Sequence, residues 1–178
     1  MAQNIGQRGR GQGGGRGGFG GRGRGPRRDR VEDEFDQRVV ELARVTRVMA
    51  GGKRMRFRAL VVLGNKKGRV GVGLAKGADV SLAVEKAATK ARKGLLQVPI
   101  TNGTLPHEIT VKYKSARVML KPARPGTGII AGGPVRVVLE MAGVPNVVSK
   151  ILGSPNKINN IRAVFKAFSQ MKLPKKDA

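Results

Sequence analysis

The pattern of apolar and polar residues predicts three strands at the start of the ordered chain. The predicted strands are 37–48, 54–63 and 69–74. In the second of them apolar residues such as Met55 and Phe57 alternate with three arginines. Period-two alternation predicts a half-buried strand with a cationic outer face. In the third strand Gly71 and Gly73 lack side chains, which indicates close approach by another backbone.

The segment that follows predicts an amphipathic helix over 80–97, with Asp79 as its N-cap. Five apolar residues recur at helical spacing and are expected to face the sheet: Val80, Val84, Ala87, Ala91 and Leu95. Three lysines recur on a different face: Lys86, Lys90 and Lys93. A lysine stripe is ordinarily a solvated helix face. Here only Glu85 lies nearby, so the acids that accompany a merely soluble helix are lacking.

The second half predicts two short strands, a helix, a strand and a final helix. Two prolines and an Asn-Gly over 99–107 predict a linker before it. The two short strands lie within 108–124, around Lys114-Ser115; the later elements are a helix over 134–142, closed by Gly143, a strand over 146–152 and a helix over 158–172. The apolar residues expected on the buried face of the last helix are Ile158, Ile161, Phe165 and Phe168. The predicted class is α+β, with a β-β-β-α domain at 33–98 and a β-β-α-β-α domain at 108–173.

Composition separates residues 1–32 from this body. Within them 11–30 is nearly all glycine and arginine, and the region cannot bury enough apolar surface to fold, so we predict a disordered tail. The net charge of +25 exceeds what solubility needs and points to a polyanionic partner. Nucleic acid is the first candidate and an anionic membrane surface the second. No apolar stretch is long enough to span a bilayer, and the N-terminus lacks the apolar core of a secretory signal.

The residues that enzymes need are scarce. The chain has no cysteine and a single histidine, His107, which leaves little room for metal or acid–base chemistry. The glycines from Gly128 to Gly133 have the spacing of a phosphate-binding loop, but Pro134 stands where the lysine is required. Gly126, Gly128 and Ala131 match a dinucleotide-binding pattern that lacks its acidic partner. We therefore predict that the chain is not an enzyme and needs no cofactor or metal.

Aromatic residues make up 3% of the chain, so few side chains can stack on single-stranded bases. Recognition of backbone and shape remains, and it suits double-helical RNA. The three strands and helix of the first half resemble a double-stranded-RNA-binding domain in layout.

Three stretches carry a specific resemblance. RVMAGGKRMRFRALVVLGNKKGRVGVGLAKGADVSLAVEKAATKARKGL, then NGTLPH, then PGTGIIAGGPVRVVLEMAGVPNVVSKILGSPNKINNIRAV resemble the family of the fifth protein of the bacterial small ribosomal subunit. The resemblance implies a second domain with a left-handed βαβ crossover. It also implies a cytoplasmic place in the ribosome, bound to small-subunit (16S) rRNA near the decoding region and the mRNA entry path. The implied role is to support assembly and translational accuracy.

The resemblance also implies particular contacts. It places the hairpin of residues 50–53 against rRNA, near where spectinomycin binds. It places the segment from Gly126 through Gly128 to Arg136 against small-subunit protein four, where changes alter decoding accuracy. Small-subunit protein eight is a further implied neighbour. That contact has less support, because the chain stops soon after its last helix where many members continue. The long glycine/arginine tail is a second departure, so its role is not inherited.

We predict that a set of glycines, basic residues and one asparagine contacts rRNA, mainly at its phosphates. The predicted contacts are Gly51, Gly52, Lys53, Arg54, Arg56, Lys66, Lys67, Arg69, Lys86, Lys90, Lys93, Lys121, Arg124, Asn156, Lys157 and Arg162. For any single cation the alternative is a solvated surface charge. The alternative function is a free-standing RNA chaperone that remodels RNA with its basic tail.

Overall fold

The computed structural model describes residues 34–172. The predicted disordered tail, 1–32, lies outside the described residues. Two four-stranded sheets and three helices make up the described chain. The predicted α+β class is confirmed.

The first sheet is antiparallel, with the strand order β1-β2-β3-β4. Its elements are β1 (Asp36–Met49), β2 (Gly52–Gly64), β3 (Arg69–Gly77), α1 (Val80–Lys93) and β4 (Leu95–Gln97). The prediction of a helix over 80–97 was wrong at its end. The chain leaves the helix at Gly94, and Leu95–Gln97 pairs with the start of β3 instead. This long-range pairing is not visible in the local helical period.

Helix α1 packs on the sheet through alanines. Its buried residues are Ala83, Ala87, Ala88 and Ala91, whereas the predicted core residues Val80 and Leu95 are exposed. The burial of small alanines instead of the larger predicted residues has a steric cause in β3. A Cβ at Gly73 would collide with the carbonyl of Ala87, and one at Gly71 with the carbonyl of Ala91. Small residues on both sides let the two backbones approach, as the glycines of β3 predicted. Asp79 is the N-cap residue, but its side chain makes no capping hydrogen bond.

Strand β2 changes character along its length. Gly52 to Arg56 are all exposed, Phe57 and Arg58 are half-buried, and from Ala59 to Gly64 every residue is buried, so burial does not alternate along the strand as predicted. The prediction of a strand with one solvent-facing side was wrong for this inner half. Val61 and its neighbours on one face pack under α1, and Leu60 and Val62 on the other join the core of the second half of the chain.

The second sheet is mixed, with the strand order β5-β6-β8-β7. Its elements are β5 (Ile109–Tyr113), β6 (Ala116–Pro122), β7 (Ile129–Ile130), α2 (Gly133–Ala142), β8 (Val147–Ile151) and α3 (Lys157–Gln170). Strand β7 was not predicted. It lies inside the glycine-rich loop and is defined only by its parallel pairing with β8, which makes β7, α2 and β8 a βαβ unit. Helix α2 closes at Gly143 with a φ of 77°, as predicted.

The last helix buries Ile161 and Phe168 fully. The other two residues predicted for that face, Ile158 and Phe165, are half-buried. The helix starts one residue earlier than predicted, at Lys157.

The two halves share one apolar core and are joined at two further places. The turn between β2 and β3 docks on the end of α2, where the Lys66 amide donates to the Met141 carbonyl at 3.0 Å. In the predicted linker Leu105 is buried, and the Thr104 hydroxyl donates to the Asn146 carbonyl at 2.8 Å. The domain limits 33–98, 99–107 and 108–173 stay a prediction. None of the helices described between residues 34 and 172 is long and apolar enough to cross a membrane.

Candidate nucleic-acid interface

The hairpin of β1 and β2 extends beyond the rest of the first sheet. Pairing with β3 begins at Phe57, so the earlier residues of β2 are paired only with β1. We call residues 47–56 the hairpin ribbon. Its turn contains Gly51 and Gly52, with φ of 86° and 152° and nothing within 4 Å of a Cβ built on either. The turn is therefore open for contact with another molecule.

One face of the hairpin ribbon concentrates arginines. Arg54 and Arg56 line a groove of about 360 Å³ together with Arg47 of β1 and Lys76 of β3. Sequence reasoning missed Arg47 and Lys76. Arg47 lies directly opposite Arg54 in the β1–β2 register, and this could have been read from a hairpin turn at residues 50 and 51. Lys76 reaches the same face through the pairing of β3 with β2, which has no comparable local signal.

Among the described residues no carboxylate neutralises the cations of this groove. Within the described residues, no ion pair is formed by Lys53, Arg54 or Arg56. Arg58, the next residue on the arginine face, lies 3.8 Å from Glu41. Like charges directly opposite each other, as at Arg47 and Arg54, oppose strand pairing. A bound polyanion would remove that repulsion.

The turn between β2 and β3 is rigid and only partly available. The Asn65 side-chain oxygen accepts from the amides of Lys67 and Arg69 at 2.9 and 3.0 Å. Lys66 has a φ of 55° and pairs with Asp36 at 2.6 Å. The hydrogen bond and charge of Lys66 lower the pKa of the Asp36 carboxyl. Lys67 and Arg69 are exposed, and neither has an ion pair among the described residues.

The lysine stripe of α1 does not join the arginine face. Lys86, Lys90 and Lys93 are exposed, and no ion pair neutralises them in the described part of the chain. Helix α1 packs on the sheet face that carries Val61, whereas Arg54 points to the opposite face. The predicted contacts of the first half therefore form separate groups on two sides of one sheet.

Predicted contacts in the second half are more varied. Lys121 is paired with Glu108 at 3.2 Å. The Asn156 side-chain oxygen caps α3, accepting from Ile158 and Asn159, so its structural role explains its presence without RNA. Lys157 and Arg124 are exposed. The Arg162 guanidinium lies 6.0 Å from the ring centre of Tyr113 and donates to its hydroxyl at 3.3 Å.

The glycine loop is held by the protein itself. Gly126 and Gly128 have φ of 87° and 74°, and the Gly128 amide donates to the side-chain oxygen of Asn146 at 3.1 Å. The Val147 amide donates to the Gly128 carbonyl at 3.0 Å. These bonds fix the loop beside β8, so its glycines have a structural explanation.

Arg136 is turned toward its own helix. Its guanidinium donates to Glu140 at 2.9 Å, and Glu140 also accepts from Arg38 of β1. The pKa of the Glu140 carboxyl is lowered, mainly by the hydrogen bond from Arg136. This cluster links α2 to the first sheet. In residues 34–172 no group of three or more His, Cys, Asp or Glu is placed to hold a metal ion.

The chain matches the family models described as ribosomal protein S5, N-terminal domain, over residues 35–99 and ribosomal protein S5, C-terminal domain, over residues 111–178. It is 44% identical over 146 residues to small ribosomal subunit protein uS5 of Thermotoga neapolitana, covering 82% of each chain. Against uS5 of Thermus thermophilus the identity is 47% over 141 residues, covering 79% of this chain and 87% of the relative.

Small ribosomal subunit protein uS5c of Spinacia oleracea is 53% identical over 147 residues. The match covers 82% of this chain and 48% of that relative, so the chain spans about half its length. These matches confirm the resemblance seen in the sequence. The chain belongs to the ribosomal protein S5 family.

Proposed function

We propose that the chain is a structural constituent of the small ribosomal subunit that binds and braces small-subunit rRNA through its phosphates. Membership of the family confirms the coarser expectations of a structural role, a place in the ribosome and no catalysis. The observation that supports RNA contact is the hairpin ribbon. It projects unpaired cations beyond the packed body, where a partner can reach them.

Phosphate binding by such cations gains free energy from the release of counterions. Each phosphate neutralised lowers the logarithm of the binding constant by about 0.7 to 0.9 per log unit of salt. The register of β1 and β2 sets the order of the arginines along the ribbon, and the buried inner half of β2 anchors the ribbon to the body. A cationic surface anchored in this way can hold one local shape of a folded RNA, which is what support of assembly requires.

The finer contacts are part of the same proposal. The ribbon, the turn at 65–69 and the lysine stripe of α1 each present exposed cations to rRNA. Arg124, Lys157 and Arg162 do so from the second half. The exposed loop around Gly126, with Gly128 and Arg136, contacts small-subunit protein four and influences accuracy. Protein eight and the mRNA entry path are the remaining proposed neighbours.

Sedimentation tests the proposal against the chaperone alternative. Small subunits are isolated from the cells that make the chain and washed at moderate salt. A ribosomal constituent remains with the subunits at close to one copy each, whereas a free-standing chaperone is released. Substoichiometric and fully salt-released protein would contradict the proposal.

A further inference from the structure

The second sheet has a face that no described helix covers. Helices α2 and α3 bury the face that carries Val118 and Leu120. On the opposite face Met119 and Val148 are half-buried, and the remaining residues of the sheet's centre include exposed cations. We call this surface the open face.

The open face carries Lys121, which is paired with Glu108, and three further cations on three adjacent strands. Lys112 of β5 lies directly opposite Arg117 of β6, and Lys150 of β8 lies opposite Met119 of β6. All three are exposed. Adjacent strands are about 4.8 Å apart, so the three side chains can reach neighbouring anionic groups at once. The prediction from sequence included none of them.

The second half of the described chain has no free carboxylate that could neutralise these three side chains. Between residues 108 and 172 the only acids are Glu108 and Glu140. Glu108 is paired with Lys121, and Glu140 with Arg38 and Arg136. Within the described residues Lys112, Arg117 and Lys150 form no ion pair. The direct opposition of Lys112 and Arg117 weakens strand pairing in the free protein.

We propose that the open face is a second phosphate-binding surface for rRNA, separate from the hairpin ribbon and held by Lys112, Arg117 and Lys150. The proposal rests on the proposed function and extends it to a surface on the other sheet. A nucleic-acid backbone fits because it offers regularly spaced anions to cations that stand on one face of a sheet. The open face has no aromatic side chain on which a base could stack, so the contact is to phosphates and independent of sequence.

The test is the salt dependence of binding to purified small-subunit rRNA from the cells that make the chain. The full chain is compared with the double variant Arg117→Gln/Lys150→Gln. We expect the slope of log affinity against log salt to fall in magnitude by about 1.4 to 1.8, as for two lost phosphate contacts. At 0.1 M salt the affinity should fall by about tenfold or more. Adding Lys112→Gln should lower the slope by about 0.7 again.

The matched control is Arg44→Gln/Lys172→Gln, which removes one arginine and one lysine, as the test variant does, from exposed positions outside the open face. It should leave the slope close to that of the unchanged chain. Far-UV circular dichroism and urea unfolding should show that both variants are folded. The open-face variants should be no less stable than the unchanged chain, since like charges are removed.

Equal losses in the two double variants would overturn the inference, because the effect would then be one of net charge alone. An unchanged slope in the open-face variant would also overturn it, and would assign the surface to an acidic protein or to solvent. In either case the proposed function stands if the unchanged chain binds the rRNA and Lys53→Glu/Arg54→Glu weakens that binding. Absence of binding by the unchanged chain would instead refute the proposed function.

Discussion

The two ends of β2 belong to one continuous strand and have opposite properties. The outer half, Gly52 to Arg58, carries all four charged residues of the strand and little of its packing, and the inner half, Ala59 to Gly64, is buried throughout. The change occurs where β3 and α1 begin to cover the strand. The packed end fixes the position of the charged end, so stability and RNA contact can be altered separately on a single strand.

The largest expected effect is loss of stability at the inner half. Leu60→Ala removes a side chain that is 2% exposed and should lower the free energy of unfolding by about 2 to 5 kcal/mol. The control on the outer half is Met55→Ala, at a residue 49% exposed, which should change it by less than about 0.5 kcal/mol. Urea unfolding measures both. Similar losses in the two variants would refute the division of β2 into two halves.

Substitutions in the outer half of β2 should weaken RNA binding and leave stability nearly unchanged. Lys53→Glu/Arg54→Glu should weaken binding to small-subunit rRNA by about 100-fold at 0.1 M salt, because two phosphate contacts become repulsive. Its circular dichroism and unfolding midpoint should stay close to those of the unchanged chain, since the ribbon carries little packing. Lys166→Glu/Lys172→Glu is the charge-matched control. Normal binding by a natively folded hairpin variant would contradict the proposed interface.

A smaller loss of stability is expected in β3, where α1 approaches the sheet closely. Gly73 lies opposite Val61, and Gly73→Ala would push a methyl group into the Ala87 carbonyl. We expect a loss of about 2 kcal/mol in the free energy of unfolding. Gly94→Ala is the control, because a Cβ there has open space and its φ is −120°. A loss of equal size at Gly94 would show that backbone freedom, and not contact with α1, is responsible.

The smallest effect concerns the ion pairs that join β1 to α2. Arg38 pairs in the sheet with Val62, and its guanidinium reaches Glu140. The pKa of Glu140 is lowered in the folded protein, so the pair stabilises the fold above the carboxyl's ordinary pKa of 4.5. That stability is lost as the pH falls through the lowered value.

Glu140→Gln should therefore cost about 0.5 to 1 kcal/mol at pH 7 and nothing at a pH below the lowered value. Urea unfolding across pH 2 to 7 measures the difference. A cost that does not change with pH would mean that the side chain acts by packing and not by charge.

The elements that local patterns specify were predicted from the sequence. The three strands of the first sheet and the glycine after α2 were predicted because each depends on neighbouring residues, and Gly71 and Gly73 indicated the close approach of α1 because they lack side chains. What failed depended on pairing between distant segments. Leu95–Gln97 is a strand only because the start of β3 lies beside it, and Ile129–Ile130 only because of β8.

Prediction of the candidate contact residues also depended on whether their signal lay within one segment of the chain. The arginines of β2 were predicted as contacts because they alternate within one segment, and their contact with RNA stays a prediction. Arg47, Lys76 and the three further cations of the open face were missed, since they gain their significance from strand register. Asn156 was predicted as an RNA contact; in the structure its side-chain oxygen caps α3, and the RNA contact stays a prediction.

The two halves of β2 are covered to different extents, so their amide hydrogens should exchange with solvent at different rates. Inner residues such as Val61 are hydrogen-bonded between two strands and covered on both faces, so their exchange with solvent deuterium requires the opening of the sheet. Amides near Met55 need only the fraying of a two-stranded ribbon and should exchange orders of magnitude sooner. Bound rRNA should slow exchange at that outer end, which would give a residue-by-residue record of where the RNA lies.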